Sequence, residues 1–153
     1  MNKMIFAAAL LGATFFAGNA FAADVVHNQE NPKGAFSSSV IVPPGYTTYY
    51  VSGGTGKGGN TAEQTAATLD GLKAKLTQMD LTFGDVVSAH VFVSGDPNMG
   101  GKMDFAGMNE SWFKVFGTAD QPNKPARAAF QVASLANPTA LVEIELIAVK
   151  KAK

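Results

Sequence analysis

Hydrophobic and small residues recur every three or four positions in two segments of the chain, residues 61–79 and 105–116. This spacing follows the 3.6-residue period of an α-helix and predicts two amphipathic helices, each packed along one face. Asp104 is suited to cap the start of the second helix, and Gly117 is suited to end it.

Strand-like patterns rich in β-branched and aromatic residues fill much of the remaining chain. The last of them alternates cleanly, with Val142 and Ile144 on one side and Glu143 and Glu145 on the other. The Pro-Pro-Gly sequence at residues 43–45 predicts a hairpin between the first two strands. The five predicted strands cover residues 38–42, 47–52, 86–94, 127–133 and 141–149.

The resulting element order, β-β-α-β-α-β-β, predicts an α+β fold with a mixed sheet and both helices on one face. Two helices cover only one side of such a sheet. We therefore expect the opposite face to be covered by another copy of the same chain, since that is the simplest available cover.

The N-terminal 22 residues have the three regions of a secretory signal peptide: a lysine near the start, an apolar run over 5–17, and a small-x-small ending at Ala22. The apolar run is short for a membrane anchor, which takes about 17–25 residues. Cleavage after Ala22 would leave 131 residues, of a periplasmic or secreted protein without a stable membrane anchor. We assign 1–22 to the signal peptide, 23–34 to an exposed leader with little structure, and 35–150 to the folded domain.

Composition excludes several classes of protein. The chain has no cysteine and a formal net charge of zero. These values exclude a disulfide scaffold, a thiolate zinc site, a cysteine nucleophile and a strongly basic nucleic-acid binder. The two histidines, His27 and His90, are far apart in the sequence, so no metal site is predicted.

Arg127 is the most informative candidate residue, because it begins an apolar strand directly after Pro125 and Ala126. Arginine binds carboxylates through two parallel hydrogen bonds. A structural ion pair with Glu143 or Glu145 is an equally good interpretation at this point. Carboxylates in an apolar strand need a partner, water or a subunit boundary.

Five short motifs occur in order over residues 35–149. They are Val-Ser-Gly at 51–53, Leu-Thr-Phe-Gly-Asp-Val-Val at 81–87, Pro-Ala-Arg at 125–127, Gln-Val-Ala-Ser-Leu at 131–135, and Val-Glu-Ile-Glu-Leu-Ile-Ala at 142–148. Together they resemble the RidA/YjgF/UK114 family, and the Pro-Ala-Arg and Val-Glu-Ile-Glu blocks are quite specific at this spacing.

The resemblance implies a chorismate-mutase-like α+β fold, assembled as a homotrimer with clefts at the subunit interfaces. It also implies cofactor-independent hydrolysis of enamines and imines, such as 2-aminoacrylate and 2-iminopropanoate, to 2-oxo acids and ammonia. In this family pattern Arg127 holds the substrate carboxylate and Glu143 positions the attacking water. Ser52, Gly53 and Asn109 match residues that line the cleft.

The chain departs from the family pattern at two positions near the cleft. Phe36 stands where many members have tyrosine, and Ala129 where several have cysteine. Both are expected to affect substrate preference. A non-catalytic trimer that binds small carboxylates at the same cleft is the alternative function. A ribonuclease is disfavoured, because RNA binding depends heavily on positive charge.

Overall fold

The structure is a computed structural model that describes residues 23–152. It contains six strands and two α-helices, with short 3₁₀ turns at Phe83–Asp85 and Pro97–Met99. In chain order the elements are β1 (Val26–Asn28), β2 (Ser39–Ile41), β3 (Tyr46–Gly54), α1 (Thr61–Gln78), β4 (Val86–Val93), α2 (Phe105–Trp112), β5 (Ala126–Gln131) and β6 (Val142–Lys151).

Four strands form the main sheet in the order β3-β6-β4-β5. β6 is antiparallel to both of its neighbours, and β4 and β5 are parallel. The sheet is therefore mixed, and the predicted α+β fold class is confirmed. β5 and β3 are the two edge strands.

Both helices pack on one face of this sheet, as predicted. The alternation along β6 directs Val142, Ile144, Leu146 and Ala148 toward the helices, where each is at most 2% exposed. Leucines of α1 and the Trp112 side chain of α2 close the same core. Apolar burial of this kind is the main favourable contribution to folding.

The other face of the sheet, here called the open face, has no helix against it in the described part of the chain. Tyr50 lies there and is 81% exposed. Residues that pair across the strands share a face, so the register also places Phe92 opposite Glu143 and Phe130 opposite Phe92. This face carries both aromatic rings and carboxylates.

The predicted hairpin between the first two strands is wrong. β2 pairs with β1, whereas β3 pairs with β6. Ser37 forms a bridge with Ala126 at the start of β5, and Ala152 donates its backbone N–H to Gly45 beside the start of β3. The chain therefore crosses the end of the sheet between its two edges instead of turning back on itself.

The segment 23–34 has more structure than its polar composition indicates. Its residues Val26–Asn28 form β1, and His27 Nδ1 lies 2.8 Å from the Lys124 carbonyl oxygen. Lys124 is 4% exposed and donates from Nζ to the carbonyl oxygens of Asn31 and Pro32. The predicted signal peptide over 1–22 and its cleavage site lie outside the described residues.

The second helix is shorter than predicted, because it ends at Trp112 and not at residue 116. Lys114 and Val115 donate to carbonyl oxygens three residues back, which tightens the chain into turns. Gly117 ends the segment with a φ of 76°, the left-handed conformation expected of a terminating glycine. Asp104 caps the start as predicted and accepts from Gly107 N–H.

No helix within residues 23–152 combines the length and apolar character needed to cross a membrane.

We predict that Leu76→Ala lowers the free energy of unfolding by about 2–5 kcal/mol, because it leaves a cavity in the core. Leu76 is completely buried on the core side of α1. The measurement is chemical denaturation at one fixed protein concentration. Lys73→Ala, on the exposed side of the same helix, is the control and should change stability by no more than about 0.5 kcal/mol. Equal effects of the two changes would contradict the described core.

Candidate functional site

Arg127 is the second residue of edge strand β5 and pairs in register with Ala89 of β4. Ala89 in turn pairs with Leu146, whose side chain belongs to the core. Arg127 therefore lies on the helix side of the sheet, and its side chain extends toward α2. It is the only arginine in the sequence.

The guanidinium of Arg127 is held by one polar and several aromatic contacts. Nη1 donates to Asn109 Oδ1 at 2.9 Å, and the Trp112 ring centroid lies 4.7 Å from Cζ. Phe36 and Phe105 lie farther out, at 5.7 and 5.9 Å. A cation over aromatic faces is attracted by their electron density, so the group is oriented without being neutralised.

Burial lowers the pKa of Arg127 to about 10. The side chain is still a cation at neutral pH, but it has lost part of its hydration. Among the described residues, no carboxylate forms a salt bridge with it. A half-buried cation without a counter-charge is suited to binding an anion, because an anion would replace the interactions that burial removed.

An ion pair between Arg127 and Glu143 or Glu145 in the same chain is excluded by the register. Both glutamates lie on the open face, whereas Arg127 lies on the helix side. Glu145 Oε1 instead contacts His90 Nδ1 at 2.7 Å, and both side chains are nearly half exposed. His90 therefore has a partner on the neighbouring strand.

A hollow of about 340 Å³ adjoins the guanidinium, and we call it the Arg127 hollow. It brings together three of the predicted site residues, since Phe36 and Ala129 lie beside Arg127. Its complete lining consists of Phe36, Phe105, Arg127, Ala128, Ala129 and Phe130.

Glu143 belongs to a second group, at the junction of β6 and β3. A β-bulge between Val51 and Gly54 places Gly53 directly against the carboxylate. A Cβ atom at residue 53 would overlap the Glu143 carboxylate, so a larger residue there would displace that side chain. On the helix side, Lys75 Nζ donates to the carbonyl oxygens of Ser52 at 3.1 Å and Gly53 at 3.4 Å.

The predicted site residues thus form two groups within one chain. Arg127 and Asn109, with Phe36 and Ala129, lie at the β5 edge on the helix side. Glu143 lies with Ser52 and Gly53 near the open face. The single chain does not bring the two groups together, and the roles assigned to these residues remain predictions.

Two neighbours of Arg127 belong to the hydrophobic pattern that predicts the second helix, and the sequence assigns them no role at the site. Trp112 donates from Nε1 to the Ala35 carbonyl oxygen at 2.7 Å, and Phe105 borders the hollow. The available signal was their position one turn from Asn109. Lys75 had no distinguishing signal in the sequence.

Within residues 23–152, no group of three or more His, Asp or Glu side chains is arranged to hold a metal ion.

Comparison with known proteins gives one family model over most of the chain. A model described as Endoribonuclease L-PSP matches residues 27–150. A RutC family protein of Leuconostoc mesenteroides is 31% identical over 136 residues, which cover 82% of this chain and 97% of that protein. A RutC family protein of Haemophilus influenzae is 39% identical over 88 residues, 58% of this chain and 62% of its own length. The chain thus spans less than two thirds of some curated relatives.

Solved structures show the same architecture. A YjgF family protein from Neisseria meningitidis superposes with a TM-score of 0.57 at 30% identity, over 85% of this chain and 98% of that one. The YjgF gene product of Escherichia coli gives a TM-score of 0.56 at 30% identity, over 67% of this chain and 80% of its own.

We predict that Arg127→Met raises the melting temperature of the ligand-free protein by about 2–6 °C. The methionine keeps the apolar contacts with Trp112 and removes a desolvated charge that has no counter-charge among residues 23–152 of the same chain. Differential scanning calorimetry provides the measurement. Lys114→Met is the control, because Lys114 is an exposed lysine paired with Glu110. A fall in melting temperature for Arg127→Met would indicate that the guanidinium is neutralised by an anion.

Proposed function

Because this chain belongs to the RidA/YjgF/UK114 family, we propose that it hydrolyses reactive 2-imino acids and their enamine tautomers. The products are a 2-oxo acid and ammonia. The observation that carries the proposal is the half-buried guanidinium of Arg127, oriented by Asn109 and without a carboxylate partner among the described residues.

The reaction balances without an oxidant or a reductant. An enamine first tautomerises to the imine. Water then adds across the C=N bond, so that its oxygen bonds to the imine carbon and one of its protons goes to the nitrogen. The proton left on the new hydroxyl group passes to the nitrogen as well. The C–N bond breaks, ammonia leaves, and the carbon–oxygen bond becomes the carbonyl of the 2-oxo acid.

Arg127 is proposed to hold the substrate carboxylate. Nη1 donates to Asn109 Oδ1, and Arg127 borders the hollow. A bidentate carboxylate there would restore the interactions that burial removed. Fixing the acid also places the imine carbon at one position, which reduces the entropic cost of the reaction.

Glu143 is proposed to accept a proton from the attacking water and pass it to the nitrogen. Its carboxylate is on the open face, opposite to the side that carries Arg127. We therefore propose that a second copy of the chain supplies Glu143, in a homotrimer with three equivalent sites. The half-exposed Phe130 and the exposed Tyr50 give the open face apolar area to bury in such an assembly.

Export of the protein is a further part of the proposal. The N-terminal sequence has the form of a signal peptide cleaved after Ala22, and substrates would then be imino acids formed outside the cytosol, for example by an exported oxidase.

A non-catalytic protein that binds small carboxylates is the second candidate. It is favoured by Phe36, whose ring contributes no hydroxyl group beside Arg127. Such a protein needs Arg127 but not the carboxylate of Glu143. The ribonuclease activity named in the family description is disfavoured by a formal net charge of zero.

We predict that the purified protein accelerates ammonia release from 2-imino acids generated by an amino-acid oxidase. Arg127→Ala should abolish the acceleration by removing the carboxylate contact. Glu143→Gln should lower the rate at least about 100-fold, since general-base catalysis contributes about that much, while the affinity for a 2-oxo acid changes little. A continuous coupled assay for ammonia measures the rate.

Glu110→Gln is the matched control for Glu143→Gln. Glu110 is an exposed glutamate of α2 that pairs only with Lys114 among the described residues, and its loss should leave the rate unchanged. Turnover that is insensitive to Arg127→Ala would contradict the proposal. Binding without turnover, in wild-type protein, would favour the second candidate.

We predict that mixing the two inactive variants restores activity. Arg127→Ala and Glu143→Gln are unfolded together in equal amounts, refolded and assayed. In a trimer with shared sites, about one site in four receives a native Arg127 and a native Glu143 from different copies, so about a quarter of the wild-type rate should return. Refolding each variant alone is the control. No recovery, with hybrid trimers verified by mass spectrometry, would contradict a site shared between copies.

A further inference from the structure

Two half-exposed phenylalanines lie beside the chain's only arginine. Phe36 and Phe105 are 48% and 44% exposed and line the Arg127 hollow, and Phe130 borders the hollow from the open face of the sheet. Single exposed apolar side chains are common on protein surfaces, but a cluster around a charged group marks a binding site. We infer that this hollow receives the substrate side chain and selects 2-imino acids that carry one carboxylate and a large apolar side chain, aromatic or branched aliphatic. The inference rests on the proposed function.

The position of the guanidinium directs the substrate toward the rings. Asn109 holds Nη1, and Trp112 lies 4.7 Å from Cζ. A substrate carboxylate that enters the Arg127 hollow would then bind the guanidinium close to Phe36 and Phe105. In a 2-imino acid only one carbon separates the carboxylate from the side chain. The side chain thus begins within reach of both rings.

The lining of the hollow also selects against a second charge. Arg127 is its only charged residue, and the other lining residues are alanines and phenylalanines. A second carboxylate on the substrate would lose hydration there without gaining a partner, which is strongly unfavourable. Substrates derived from acidic amino acids are therefore expected to bind poorly.

Ala129 provides the space for a large side chain. It follows Arg127 by two residues on β5, so the two share the helix side of the sheet. It borders the hollow and also packs against the core. A methyl group at this position leaves room that a longer side chain would fill.

The ring of Phe36 is held in place by its neighbours in sequence. Trp112 Nε1 donates to the carbonyl oxygen of Ala35, and Ser37 Oγ donates to the carbonyl oxygen of Lys124 at 2.6 Å. Ser37 N–H also donates to the carbonyl oxygen of Pro125. Because the backbone is anchored on both sides of Phe36, little ordering is needed when a ligand binds.

Binding of stable 2-oxo acids, the carbonyl counterparts of the imines, tests the inference. The ligands are pyruvate, 4-methyl-2-oxopentanoate, phenylpyruvate and 2-oxoglutarate, titrated by isothermal calorimetry into the wild-type protein. We expect both large apolar acids to bind at least about tenfold more tightly than pyruvate, the change typical of added methylenes in an apolar pocket. 2-Oxoglutarate should bind no better than pyruvate.

Phe36→Ala and Phe105→Ala should each reduce the ratio of the 4-methyl-2-oxopentanoate affinity to the pyruvate affinity at least about threefold, while pyruvate binding through Arg127 persists. Phe113→Ala is the matched control, because Phe113 is also 45% exposed and lies next to α2 but outside the hollow. It should leave the ratio unchanged. The ratio separates a change in selectivity from a general loss of structure, because a loss of structure would lower the affinity for both ligands.

Equal affinities for pyruvate and the large apolar acids would overturn the inference, as would failure of all four acids to bind. The inference and the proposed function can fail separately. A preference for large acids without any ammonia release would overturn the deaminase and support the selectivity. Ammonia release without a preference for large acids would support the deaminase and overturn the selectivity.

Discussion

The alternation of side chains along β6 determines what a single chain can do. This strand lies inside the sheet and is hydrogen-bonded on both sides, so its register cannot shift without moving every side chain to the other face. Val142 and Ile144 must face the helices to form the core, and Glu143 between them must face away. Arg127 faces the helices because it shares the register of Ala89 and Leu146. The two groups proposed for catalysis are thus separated by the sheet itself, and a site containing both requires a second copy.

The elements with strong periodicity were predictable from the sequence. The helices follow their 3.6-residue patterns, and β6 follows its alternation from Val142 to Ala148. The partner of β2 was not predictable, because three residues carry almost no register information and the Pro-Pro-Gly sequence is compatible with turning back or crossing over. The sequence also could not predict which face of the sheet Arg127 occupies. The sequence of β5, Ala-Arg-Ala-Ala-Phe-Gln, lacks a clear alternation, so only pairing with β4 determines the orientation.

Arg127 is both charged and partly buried, and these two properties oppose each other in a folded protein. Burial removes water from the guanidinium and lowers its pKa to about 10, which costs stability because no carboxylate partner is present among the described residues. Asn109 and the Trp112 ring recover part of that cost. A carboxylate ligand would recover more, since an ion pair is stronger where water is excluded. The free energy that burial of this charge costs would therefore be partly recovered when a carboxylate binds.

The aromatic surroundings of Arg127 divide the proposed chemistry between the two halves of the site. Phenyl rings carry no exchangeable proton, so Phe36 and Phe105 act on the reaction only by excluding water and strengthening the hold on the carboxylate. Proton transfer in the proposed reaction then depends on Glu143, which lies at the open face beside Gly53. An imine carbon is already electrophilic, and one water positioned by this carboxylate is sufficient for attack. One half of the site that binds the carboxylate and another half that transfers protons are thus compatible with a reaction that needs no hydroxyl group at Phe36.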